Sequence, residues 1–303
     1  MGVRIKSTGA SYATETYSIV ENGGRAARQS LERAEVRPDQ IGVLINTGIF
    51  HDSNFLEPAC AAMIQKAAGI GLDYTAATDP RTFSFDLMNS AVGVLHAVQV
   101  AAAIMDVGTV EHILVVSGDT HPSLTRAVAD DEFPYAASGA ALLLEYTDGA
   151  DGFGRVHTVS GEGMPGLEAY FEVTAMGIAG RGLMTVVRET DFEDRLLEVA
   201  VEAARRTLDD VRDIDISGIA LISSTPSPTF PHQIAEAVGI SGDSVRTADL
   251  SGGDPHTASL SLAYDRALMA GSLADRSHVL FVAAGAGPTA AAALYQLPTR
   301  TAI

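Results

Sequence analysis

Phe85–Val107 reads FDLMNSAVGVLHAVQVAAAIMDV. An extended piece ends at Asp86-Leu87, the chain turns through Met88-Asn89-Ser90, and the next charged residue is Asp106. The run is too long for one strand and rich in helix formers. It predicts a helix over 91–107 that is apolar on nearly all sides and buried in the middle of a domain. His96 and Gln99 interrupt it, and its apolar part falls short of a bilayer span, which argues against a membrane helix. A buried helix that follows a tight turn holds the N–H groups of its first turn at a protected spot. Such a spot favours a thiolate, a thioester carbonyl or an oxyanion.

Outward from this stretch the chain repeats itself. SFDLMNSAVGVLHAV (84–98) has a counterpart in TADLSGGDPHTASLSLA (247–263), with an Asp-Leu strand end, a small-residue turn and a helix in each. EHILVVSGD (111–119) matches SHVLFVAAGAG (277–287), and the helix-then-strand segment 26–47 matches 203–225 from its AAR-x-x-L start. Val3–Tyr12 has a weaker partner in 154–163. Self-similarity at half the chain length means a duplicated α/β unit, since solenoid periods are far shorter. The expected halves are 1–149 and 150–303, with mostly parallel sheets between helices. Residues 150–190 break the symmetry, and 176–189 reads as a surface insertion over the centre.

The composition narrows the partners. Of 303 residues, 47% are hydrophobic and 19% charged, and the net charge is −18. No run of Lys or Arg exceeds the pair Arg205-Arg206, so neither nucleic acid nor an anionic membrane is an expected partner. The single cysteine, Cys60, excludes an internal disulfide and a Cys-based zinc site and fits a reducing cytoplasm. Its apolar surroundings over 57–68 read as core. The opening MGVRIKSTGASY has no apolar signal-peptide core, so a cytoplasmic location is expected.

The ordered set of motifs resembles the thiolase fold, and within it the ketoacyl-acyl-carrier-protein synthase III branch. The residues that carry the likeness are FDL-x-x-x-x-x-G at 85–93, HILVVSGD at 112–119, G-x-x-x-x-x-S-L-x-L-A at 253–263 and the closing G-A-G-P-T-A-A-A-A-L at 285–294. The resemblance implies two duplicated halves in an αβαβα arrangement. It also implies acyl transfer or decarboxylative condensation on acyl-CoA or acyl-carrier-protein thioesters, in fatty-acid or polyketide metabolism.

Carried over residue by residue, the family's catalytic trio is not retained. Counted from Asp86 and Gly93, its nucleophilic cysteine falls on Ala91, which cannot form an acyl-enzyme. Ser90 takes the role if the turn slides by one residue; a helix-capping serine is its other reading. The same count through the repeat puts the family's asparagine at Asp254. Its histidine falls on Thr225 when the strand Ile219–Ile222 and the following helix are matched. Pro231-His232-Gln233 matches the family tripeptide literally but leaves too short a helix before Gly239, so His232 reads as a capping or solvated residue.

What chemistry remains rests on Ser90, Asp254 and His256. Asp254 and His256 adjoin the second buried helix, where they serve as general base candidates or simply close a turn ahead of Pro255. Convergence of the three would make a Ser-His-Asp arrangement suited to acyl transfer or thioester hydrolysis. Oxyanion donors are expected from the first turn of helix 91–107 and from Gly285–Gly287, and Ala91, Thr225, Gly285, Gly287 and Arg181 are expected to line the substrate. Arg181 and Arg188, the basic residues of 176–189, reach a phosphate or carboxylate or else lie on a solvated loop.

No cofactor or metal is expected. Too little chain follows Ala290 for the 285–290 glycines to open a dinucleotide unit, and Asp119-Thr120-His121 with Asp254-Pro255-His256 makes only a weak ligand set. Two functions stay open. One is an acyltransferase with a remodelled site; the other is an inactive partner subunit of an active ketosynthase. A homodimer is expected through a central strand near 111–118 and the 85–95 region, a heterodimer with a ketosynthase if the chain is a partner.

Overall fold

A computed structural model describes residues 2–13, 16–54, 57–72, 82–121, 133–163, 166–171, 184–211, 214–285 and 287–298. Strand β2 (Ile41–Asn46) shows how the layers arise: Val43 and Ile45 enter one core, Leu44 and Ile41 another. β4 (His112–Ser117) divides in the same way, Ile113 and Val115 against Leu114 and Val116. Unbroken apolar strands of this kind need cover on both faces.

The first sheet has the order β1-β5-β4-β2-β3, with β1 Gly2–Tyr12, β3 Phe83–Asp86 and β5 Ser138–Thr147. The second has the order β10-β9-β11-β12-β6, with β6 Gly152–Ser160, β9 Ile219–Ser223, β10 Val245–Arg246, β11 His278–Gly285 and β12 Thr289–Gln296. Read from β1 and from β6, the two orders are the same, which bears out the duplication, including the pairing of the opening strand with 154–163. A hairpin of β7 (Leu167–Phe171) and β8 (Met184–Arg188) is the addition to the second half. Only part of the expected insertion 176–189 falls within the described residues.

Five layers result. Helices α1 (Ile19–Ala34) and α2 (Cys60–Ala68) cover the outer face of the first sheet. Helices α4 (Phe192–Asp209) and α5 (Phe230–Val238) cover that of the second. Helices α3 (Gly93–Asp106) and α6 (Ser259–Met269) lie between the sheets within one shared core. The expectation for 85–107 holds for the first half of α3; farther along, Gln99 and Ala103 face out. A tie joins the halves: Asp265 on α6 accepts from Thr8 Oγ1 on β1 at 2.6 Å and pairs with Arg33 on α1 at 2.5 Å.

One expectation fails on topology. β4 is hydrogen-bonded on one side to β2 and on the other to β5, so the strand at 111–118 has no free edge to offer a second copy. The edge of that sheet in this region is β3, where Phe83 is 62% exposed.

Candidate active site

Ser90 closes the turn between β3 and α3. The helix proper begins at Gly93 with Val92 as its N-cap, so Ser90 does not cap it. Its φ is +47°, in the left-handed region that non-glycine residues rarely occupy. Ser90 is 4% exposed, and its Oγ lies 2.7 Å from Nε2 of His256.

His256 is the counterpart of Ser90 in the second half. It too has φ +47°, and it stands three residues before its helix, α6, as Ser90 stands three before α3. Counted from the Asp-Leu pairs of the repeat, at Asp86 and Asp249, the halves are 163 residues apart, but the two strained residues are 166 apart. The second turn is therefore three residues longer. That insertion shifts the register on which Ala91 and Asp254 stood as counterparts.

The carboxylate on the His256 ring is that of Asp119, whereas Asp254 meets the His256 backbone. Asp119 Oδ2 sits 3.0 Å from His256 Nδ1 and also accepts from Thr257 N and Thr257 Oγ1. Its other oxygen accepts the N–H groups of Ile49 and Phe50, both at 2.9 Å. Burial alone would raise this carboxyl, but the charge of His256 and the surrounding donors outweigh it and hold the group down at about 2. Burial likewise works to lower His256; the charge and hydrogen bond of Asp119 prevail and raise it above the ordinary 6.5. Tyr135 stacks on the imidazole with centroids 4.0 Å apart and rings inclined by 18°, and Phe50 stacks on Tyr135 in turn.

Asp254 takes the turn role. Its Oδ1 accepts from the N–H of His256 at 2.8 Å, and more loosely from Ser259 Oγ and Thr225 Oγ1. It thereby locks the backbone that presents His256, while burial pushes its own carboxyl up. Thr225 is buried and reaches the site through that bond alone. Asp119 ends a family-like motif in the sequence, HILVVSGD. Nothing local marks it as the histidine's partner, because the two are 137 positions apart.

Gly285, at the end of β11, presses against Ser90. A Cβ built there would lie 2.4 Å from Ser90 Oγ and 3.0 Å from Ala91 N, so only glycine lets that strand end come so close. Gly287 sits past it in the hairpin turn with φ +64° and does not line the cavity. β11 and β12 pair antiparallel, so the 285–290 glycines turn a hairpin and open no βαβ unit. A narrow cavity of about 20 Å³ reaches this point, walled by Ser90, Ala91, Tyr135, Arg188, Asp254 and His256 among others. That is room for roughly one water molecule. Arg181 lies outside the described residues. His232 is exposed in the first turn of α5, as expected.

No family model matches the chain. A β-ketoacyl-[acyl-carrier-protein] synthase III of Thiobacillus denitrificans is 25% identical over 277 residues, 89% of this chain and 81% of the relative. The synthase III of Cereibacter sphaeroides is 31% identical over 143 residues, 46% of this chain and 40% of the relative. An acyl-CoA:acyl-CoA alkyltransferase of Xanthomonas campestris is 29% identical over 96 residues, 32% of this chain and 25% of the relative. These last two matches span well under half of the relatives' own length. Among solved structures, the 3-oxoacyl-(acyl carrier protein) synthase III of Pseudomonas aeruginosa superposes with a TM-score of 0.79 at 17% identity, covering 99% of each chain. In sequence and in fold the chain is similar to thiolase-like proteins of the ketoacyl synthase III branch. A priming β-ketosynthase of a polyketide pathway, at 19% identity and a TM-score of 0.76 over 98% of this chain and 96% of that one, has the same fold. Against that synthase III background, Ser90 sits in the turn where the resemblance places a cysteine, one residue before Ala91, and meets His256 from the second half and, through it, Asp119.

Proposed function

We propose that the chain is an acyltransferase that draws an acyl group from a CoA or acyl-carrier-protein thioester onto Ser90. The observation that carries this is the continuous line Ser90 Oγ, His256 Nε2, His256 Nδ1, Asp119 Oδ2 in a buried pocket. Serine is a weak nucleophile until a base stands within hydrogen-bond reach, and that base needs a third group to hold its tautomer. Both conditions are met. Relatives named for acyl-CoA and for acyl-carrier protein support the thioester as donor.

The reaction follows from the geometry. Ser90 Oγ attacks the thioester carbonyl while its proton passes to His256 Nε2. The carbon–sulfur bond breaks, and the departing thiolate takes that proton back, leaving an ester on Ser90. An acceptor hydroxyl or amine, or water, then surrenders its proton to His256 and attacks the ester; Ser90 leaves and is reprotonated. Asp119 keeps the imidazole oriented and offsets its charge in both halves. The first-turn N–H groups of α3 beside Gly285 suit the developing oxyanion. An inactive partner subunit would have no use for a charge-stabilised pair behind a strained serine, so the catalytic reading is the better supported.

Two further features belong to this reading. A second copy is expected to pair along the free edge of β3, beside the exposed Phe83. No described helix is long and apolar enough to cross a membrane, and a buried, unpaired Cys60 suits a reducing compartment. The reaction is tested by intact-mass spectrometry after incubation with short acyl-CoAs. The protein should gain one acyl mass, peptide mapping should place it on Ser90, and Ser90→Ala should not gain it. An adduct that persists in Ser90→Ala would remove the proposed nucleophile.

A further inference from the structure

Thr257 is 1% exposed in the turn 256–258, between His256 and α6, and its hydroxyl meets two groups from the end of β4. Oγ1 accepts the N–H of Gly118 at 3.1 Å and donates to Asp119 Oδ2 at 2.5 Å. The direction of both bonds is fixed, because an amide N–H only donates and an ionised carboxylate only accepts. The backbone N–H of Thr257 reaches the same oxygen at 3.1 Å. Oδ2 is the oxygen that faces His256 Nδ1, while Oδ1 is occupied by the N–H groups of Ile49 and Phe50. Asp119 belongs to the first half of the chain and His256 to the second. Thr257 thus ties the carboxylate to the histidine's own turn, across the boundary between the halves.

We infer that Thr257 is a positioning residue: its hydroxyl fixes the Asp119 carboxylate against Nδ1 and so keeps His256 oriented to take the Ser90 proton. This rests on the acyl-transfer reading of the same residues. Without the hydroxyl, the Gly118 N–H loses its acceptor and Oδ2 loses one of three donors, at a carboxylate with no exposed surface. The carboxylate is then free to turn from the ring. The charged groups that act on His256 are Asp119, Asp254 and Arg188, and Tyr135 stacks on its ring. Of these, the Thr257 hydroxyl bonds Asp119. A hydroxyl that merely competed with the imidazole for the carboxylate would act in the opposite direction, since its removal would strengthen the histidine's hold on the charge.

Thr257→Val keeps the outline of the side chain and removes the hydroxyl, whereas Thr257→Ser keeps the hydroxyl. Thr257→Val should lower kcat/KM for acyl transfer roughly 10–100-fold, through kcat with KM unchanged, and Thr257→Ser should restore most of the rate. NMR titration of the histidines in the resting protein should show the His256 pKa falling in Thr257→Val and returning in Thr257→Ser. Thr207→Val removes another buried hydroxyl, one bonded within α4, and should move neither readout. An unchanged or raised His256 pKa in Thr257→Val, or a rate loss that Thr257→Ser shares, would overturn the inference. Acylation of Ser90 in the wild type alongside an unmoved pKa would leave the proposed reaction standing without this role for Thr257. A pKa that falls as expected, with no adduct on Ser90 from any thioester, would uphold the positioning and remove the reaction.

Discussion

Ser90 and His256 each hold φ +47°, a conformation that costs an L-residue about 1–3 kcal/mol and persists only where the surroundings enforce it. For His256 the enforcement is visible: Asp254 grips its N–H and Asp119 its Nδ1. The role of Asp119 sets a sharp expectation. Asp119→Asn should lower kcat/KM roughly 10⁴-fold, as loss of the orienting carboxylate does in comparable triads. It should also move the acid limb of the pH profile. In the parent chain His256 must lose its proton to act as base, so kcat/KM rises with pH through a pKa above 6.5. Without the Asp119 charge, burial governs and the limb should shift to lower pH; initial rates between pH 5 and 9 check this. Stability carries the same sign: the contribution of the raised His256 is full below its unfolded pKa and is lost as pH rises through the folded one.

At the scale of elements, the Asp of the FDL motif does structural work that the sequence alone does not suggest. α2 has Ala59 at its N-cap position, with no side-chain cap of its own. Asp86 provides it from the end of β3, accepting from the N–H groups of Cys60 and Ala61 at 2.8 and 2.7 Å and from Asn46 Nδ2 at 2.9 Å. A carboxylate at a helix N-terminus satisfies free donors and faces the positive end of the dipole. Asp86→Ala should therefore destabilise the fold by about 1–3 kcal/mol, read as a lower urea midpoint at unchanged slope. α3 itself was legible because a charge-free run of helix formers has few other places to go. The longer turn before α6 was not, since an insertion among Ser, Gly, Asp and Pro leaves no periodic trace.

For the whole molecule, the two halves bury their central helices against one another and are pinned at Asp265. That carboxylate is 7% exposed and serves Thr8 from one element and Arg33 from another. Asp265→Ala leaves a buried hydroxyl and a partly buried guanidinium without their acceptor, and should cost about 1–3 kcal/mol. A fall in melting temperature with a native circular dichroism spectrum before the transition would bear this out; an unchanged melting temperature would deny Asp265 its place as a tie.

By itself the sequence determined the duplication, the layered α/β class, the buried helix and the presence of Ser90 and His256 at the starts of equivalent helices. These follow from local pattern: strand and helix periods, turn chemistry and the spacing of a repeat. Only the tertiary structure decided that Asp119 rather than Asp254 stands behind the histidine, that β4 is an interior strand, and that Gly285 rather than Gly287 meets the serine. Each of those is a contact between residues far apart in the chain, set by how two sheets close around their shared helices, and side-chain type along a single strand holds no record of it.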